Sequence, residues 1–190
     1  MAKILAFAGS ARKDSLNKKL VKLAADMAQQ KGVQVTVIDL VDYPMPLYDG
    51  DLEEAQGAPE NATRLYQLIK EYDGLLIACP EYNSSITPLL KNTIDWLSRP
   101  REGEKPLAAF NGKVAGLLAA SPGALGGLRG LTHVREILSN IGVLVIPSQV
   151  AVPQAHEAFA ADGSLVDQKT HMRLDGLANN LTATVKAMAR

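Results

Sequence analysis

The sequence predicts an α/β protein: a doubly wound sheet of five parallel strands in the order 2-1-3-4-5, forming one domain over residues 1–190. Three observations carry that prediction. Five short apolar runs alternate with segments whose apolar residues recur three and four apart. The first, third and fourth runs are apolar throughout rather than alternating, as strands covered by helices on both faces require. The loops after those same three runs carry Ser, Gly and Pro at the strand ends where such sheets bind ligands.

The runs cover residues 4–8, 33–40, 75–79, 114–120 and 143–152, and the three continuous ones belong at the centre of the sheet. Between them, Leu16, Leu20, Leu23 and Met27 share one helical face. So do Leu65, Leu68, Ile69 and Tyr72, then Val134, Leu138 and Ile141, and finally Leu174, Leu177, Leu181, Val185 and Met188. Pro88 after Thr87 marks the start of a further helix, because proline fits the first helical position and threonine caps it. The Pro-rich stretch 43–48 and the stretch 99–113 read as long functional or partner-facing loops. There is no repeat, low-complexity segment or linker.

Composition excludes several classes. A chain of 190 residues can remove roughly 70% of its unfolded surface from water, enough for one core without staples. Lys plus Arg number 20 and Asp plus Glu 20, so no basic excess points to nucleic acid or an anionic membrane, and a small-molecule partner fits better. No apolar run approaches the ~20 residues of a membrane span, and residues 1–9 read as a strand rather than a signal peptide. The lone Cys79 has no intramolecular disulfide partner and no Cys/His cluster has metal spacing, which places the protein in the reducing cytoplasm.

The loop after the first run contains Gly9, Ser10, Arg12, Ser15 and Asn17 and opens a helix. Free amides at a helix start, two hydroxyls, the Asn17 amide and the Arg12 guanidinium suit a phosphomonoester; the same residues also fit a capped helix with a solvated arginine. The loop lacks both the Gly-Lys-Ser/Thr ending of a nucleoside-triphosphate loop and the glycine spacing of a dinucleotide fold. After the third run, Pro80, Glu81, Tyr82, Asn83 and Ser85 could read the edge of a flat heterocycle, or could form a plain strand-to-helix turn. Ser121, Gly123, Gly126 and Gly127 follow the fourth run, where glycine permits close approach to a ligand or between helix and sheet.

Taken together these motifs strongly resemble the NADPH-dependent FMN reductases, flavodoxin-like enzymes that include quinone, chromate and azo-dye reductases. The likeness covers nearly the whole chain. It also includes Pro46-Leu47-Tyr48-Asp49, the run Leu90-Lys91-Asn92 with Ile94-Asp95-Trp96, and Ser98-Arg99-Pro100. It implies that Ser10, Arg12, Ser15, Leu16 and Asn17 hold the FMN phosphate and ribityl chain, that Pro80, Glu81, Tyr82, Asn83 and Ser85 contact the ring, and that Ser121 and Gly123 close the far side. NADPH or NADH would supply electrons, and quinones, chromate, azo compounds or free flavin would accept them. The resemblance further implies a homodimer or homotetramer bordering the flavin site, with Trp96 either at that interface or in the core.

The flavin would perform the redox chemistry, so the motif residues are binding residues and no catalytic residue is assigned. Cys79 ends an apolar strand, and no arginine follows it through Pro88, which favours buried filler over a nucleophile. His133, His156 and His171 show no triad or metal pattern. A flavodoxin-type electron carrier is the alternative, but such carriers are acidic and lack an arginine in the phosphate loop, whereas this chain is neutral and has Arg12.

Overall fold

The computed structural model describes residues 1–189. Strands β1 (Lys3–Ala8), β2 (Gln34–Val37), β3 (Gly74–Ala78), β4 (Val114–Ala120) and β5 (Leu144–Val152) form one parallel sheet in the order β2-β1-β3-β4-β5. β3 and β4 are buried at every position and β1 at all but its first residue. The edge strands β2 and β5, each with only one ladder partner, mix exposed and half-buried positions, and β2 has no buried residue. That contrast is the physical content of the apolar runs: a central strand has no wet face on which a polar residue could sit.

Among the described residues six helices accompany the sheet: α1 (Leu16–Gln30), α2 (Gly50–Gln56), α3 (Glu60–Lys70), α4 (Pro88–Leu97), α5 (Leu128–Asn140) and α6 (Gln168–Met188). α1 and α6 cover one face, where Leu20, Val21, Ala24, Leu177 and Leu181 meet Ile4, Ala6, Leu76 and Leu118. α3, α4 and α5 cover the other, where Leu65, Ile69, Leu90, Trp96 and Val134 meet Leu5, Phe7, Ile77 and Leu117. Each fully buried Leu, Ile or Val stabilises the fold by about 1.5–3 kcal/mol, so the two layers lock the strand ends in place.

Three local expectations are corrected. The second strand is only Gln34–Val37; the chain then turns through a 3-10 segment, Leu40–Asp42, capped by the Asp39 carboxylate. α2 escaped the periodicity reading because none of its residues is fully buried; it exists through Asp49, whose carboxylate accepts the amides of Asp51 and Leu52. Tyr72 lies beyond the end of α3, still buried in the core. Trp96 is wholly buried, and its indole N–H donates to the Pro46 carbonyl at 2.8 Å, so within one chain it is a core residue.

Among the described residues no helix is long and apolar enough to cross a membrane.

Candidate active site

The strand order reverses between β1 and β3, and the loops leaving those strands and β4 meet there. Gly9 begins the first loop. A Cβ on it would lie 2.9 Å from Leu90 Cβ, so only glycine lets this loop pack directly on α4. Thr87 joins the two: its hydroxyl donates to the Gly9 carbonyl at 2.6 Å and accepts the Leu90 amide at 3.2 Å. Pro88 occupies the first turn of α4 behind that cap, as the sequence predicts.

Ser15 caps α1, its hydroxyl accepting the Lys18 amide at 3.4 Å. Two residues on, Asn17 makes a contact invisible in the sequence. Its Oδ1 accepts the Ala120 amide at 2.9 Å and its Nδ2 donates to the Ala120 carbonyl at 2.8 Å, both buried. The first turn of α1 is thereby fixed to the end of β4, two strands away from β1.

The result is one cleft lined by Ser10, Arg12, Ser15, Leu16, Asn17, Pro80, Glu81, Tyr82 and Ser121, with Ala120 and Pro122 beside them. Nine of the twelve residues expected to hold the cofactor therefore share a single cavity. Asn83 and Ser85 do not line it. They belong to a tight turn in which Tyr82 and Ser85 exchange both backbone hydrogen bonds at 3.0 Å, with φ of 50° at Asn83 and 66° at Ser84. Positive φ at both central positions is the signature of a type I′ turn. Gly123 also stands outside the cleft. Gly126 and Gly127 serve packing: a Cβ would fall 2.6 Å from Pro153 N at the first and 2.7 Å from Ala119 Cβ at the second.

The donor set at the α1 end fits an anion. Among the described residues, the amides of Leu16 and Asn17 have no acceptor and the Arg12 guanidinium has no carboxylate partner. Ser10 and Ser15 are buried, each hydroxyl accepts one amide, and each keeps its own proton free to donate. Donors without acceptors, at the positive end of a helix dipole, match a phosphomonoester. At the other end Pro80, Tyr82, Ala120 and Pro122 offer the apolar surface that a flat ring requires. The residues present thus fit FMN.

The Glu81 carboxylate does not oppose that fit. Arg129 donates to its Oε1 through Nε at 3.0 Å and Nη2 at 2.8 Å, and the Gly130 amide donates to Oε2 at 3.1 Å. Burial alone would raise its pKa, but these donors outweigh burial and hold the carboxyl below the ordinary glutamate value. Ser85 is likewise turned to α5, its Oγ 2.9 Å from His133 Nδ1. Burial pushes the Cys79 thiol far above its ordinary range, so it stays protonated and inert, as filler. Sequence reasoning missed Arg129, Gly130 and His133 as contributors, since only their packing brings them to residues 48 or 49 positions earlier.

The family model for NADPH-dependent FMN reductases matches residues 2–157. An NAD(P)H-dependent FMN reductase of Pseudomonas aeruginosa is 36% identical over 168 residues, spanning 88% of this chain and 86% of that protein. A quinone reductase of Escherichia coli is 33% identical, spanning 95% and 92%. Among solved structures, the flavoenzyme NAD(P)H:(acceptor) oxidoreductase of Paracoccus denitrificans superposes with a TM-score of 0.84 at 33% identity, covering 99% of each chain. The chain belongs to the NADPH-dependent FMN reductase family, and it is an oxidoreductase.

Two outcomes are expected. Asn17→Ala, which strips two buried backbone groups of their partners at roughly 1–3 kcal/mol each, lowers unfolding free energy by about 2–4 kcal/mol in denaturant titration. Because the folded pKa of Glu81 is depressed, its stabilising contribution is complete above the unfolded value of about 4.3 and is lost as pH falls through the folded one. The stability gap between wild type and Glu81→Gln, measured by urea unfolding, should therefore shrink on acidification below about pH 4.

Proposed function

We propose that the cleft holds FMN with its phosphate against Ser10, Arg12, Ser15, Leu16 and Asn17 and its ring beside Pro80, Tyr82 and Ser121, and that the chain reduces quinone-type acceptors with electrons from NADPH or NADH. The observation that carries this reading is the single cavity into which three separate loops bring a cluster of unpartnered donors at the start of α1 and an apolar wall. The names of the Pseudomonas and Escherichia relatives support the donor and the acceptor class.

When bound, FMN accepts hydride from the nicotinamide nucleotide and passes the electrons on. The chain's part is placement. The Leu16 and Asn17 amides, the two serine hydroxyls and Arg12 hold the phosphate, while Pro80 and Tyr82 limit how the ring can tilt. No carboxylate or thiol at the cleft is free to move a proton: Glu81 is held by Arg129 and Gly130, and Cys79 is buried. Nothing in that arrangement discriminates strongly among flat acceptors, so turnover of several quinones follows.

Assembly as a homodimer or homotetramer belongs to the same proposal. Tyr82, Leu125 and Leu128 are half-exposed around the loops at this end of the sheet, and Leu47 is 75% exposed on a segment strapped to α4 through Asn92 and Trp96. A second copy covering them would complete the wall of a shallow cleft. A cytoplasmic location is supported by the single buried thiol.

A visible spectrum of the purified protein, followed by anaerobic titration with NADPH, tests the core of the reading. Flavin absorbance that bleaches on titration is expected, as is NADPH oxidation with a quinone and no partner protein. A preparation that stays colourless after incubation with excess FMN would overturn it. In Arg12→Ala, FMN affinity should fall by about 10–100-fold, the loss of a charge-assisted hydrogen bond worth roughly 1.5–3 kcal/mol, with a weaker salt dependence of what remains. Unchanged affinity would remove Arg12 from the phosphate site.

A further inference from the structure

Tyr82 stands beside the cleft on a turn that is costly to form. Asn83 and Ser84 both adopt left-handed backbone, which asparagine tolerates but which is unfavourable by about 1–2 kcal/mol for Ser84. Such turns persist when their surroundings over-determine them. The Tyr82 side chain adds no hydrogen bond to that: it is 49% exposed, and among the described residues its hydroxyl has no partner. The ring's position is set by what holds the backbone on either side of it.

Both external anchors lie on α5. Glu81, immediately before the turn, is bound by Arg129 and the Gly130 amide; Ser85, its last residue, faces His133 at 2.9 Å. Residues 129 and 133 are one helical turn apart and share a face. α5 in turn needs Glu81. Its N-cap is Gly127, with φ of 90° and no side-chain cap, since a Cβ there would strike Ala119 on β4. The Glu81 carboxylate supplies from another loop the acceptor that residue 127 cannot carry. Gly130 allows the close seat, as its Cβ would lie 3.3 Å from the Ser85 carbonyl oxygen and 3.5 Å from Glu81 Cβ.

We propose that Arg129 is a positioning residue: acting through Glu81, it fixes the Tyr82 turn and so sets the acceptor side of the flavin cleft without itself lining that cleft. The inference rests on the reading of the cleft as the flavin site. Magnitudes favour a local role over a global one. The Arg129 side chain is 57% exposed, and exposed ion pairs add only about 0–1 kcal/mol to stability. The Glu81 side chain is 9% exposed, so removing its guanidinium leaves a nearly buried carboxylate on one amide. That carboxylate will shift toward water and take the turn with it.

The test compares wild-type holoenzyme with Arg129→Met and Arg129→Lys by amide hydrogen exchange, flavin affinity and steady-state kinetics with a soluble benzoquinone. In Arg129→Met, exchange at the Tyr82 and Ser85 amides should accelerate at least about tenfold, equivalent to a local opening easier by ~1.4 kcal/mol. The quinone KM should rise about three- to tenfold while FMN affinity, carried mainly by the phosphate end, falls by less than about twofold, and Arg129→Lys should recover most of the exchange and KM effects. Unchanged exchange in Arg129→Met would overturn the strap. Faster exchange with unaltered kinetic constants, or loss of FMN in step with the KM change, would overturn its positioning role. If the wild type binds no FMN, the flavin reading itself has failed, and the proposal falls with it; the exchange rates of the flavin-free chain then report separately whether Arg129 holds the turn.

Discussion

The cleft depends on a pair of buried hydrogen bonds between the Asn17 side chain and the Ala120 backbone. Burial of its apolar stripe holds α1 on the sheet, but the free groups of its first turn still need polar contacts to fix which strand end they overlie. Asn17 supplies them. Ala120 is the last residue of β4, beyond the end of β3, and both its backbone groups are met by one amide. The amides that follow Ser15 are thus held above the gap where the sheet order reverses, rather than beside it.

A second constraint concerns charge. An anion pocket that also contains a carboxylate would ordinarily defeat itself, and Glu81 lines this one with little exposure to water. The conflict is resolved by directing that charge at α5, where Arg129 and the Gly130 amide bind it, and the Arg12 guanidinium has no carboxylate partner among the described residues. The same contacts couple three elements: α5 cannot seat on β4 without Gly127, Gly127 cannot cap its helix, and the missing acceptor comes from the loop that carries Tyr82.

Particular residues show how far the sequence could be read. The continuous runs in β1, β3 and β4 were legible because burial on both faces removes polar residues entirely, and the order of the sheet followed. The Thr87–Pro88 helix start was legible because its cap is local. α2 was not, since only Leu52 packs against the core and no residue is fully buried, and β2 was overestimated because the apolar run continues into a 3-10 turn whose Leu40 is core. The ligand loops were recognisable as a set from Ser10, Arg12, Ser15 and Asn17 with Pro80, Glu81 and Tyr82, though Asn83, Ser85 and Gly123 proved to stand outside the shared cavity.

By itself, then, the sequence determined which segments pair into a parallel sheet, which loops cap its carboxyl ends, and that one of them bears an arginine and hydroxyls suited to a phosphate. Those properties are local, written in periodicity, capping and residue type. Only the tertiary structure decided that both side-chain atoms of Asn17 are engaged by Ala120, that the Glu81 carboxylate is bound by Arg129, and that Gly126 and Gly127 serve packing. Each of these joins residues 48 or more positions apart or depends on a missing Cβ meeting a neighbouring strand, and no local pattern along a chain encodes such a meeting.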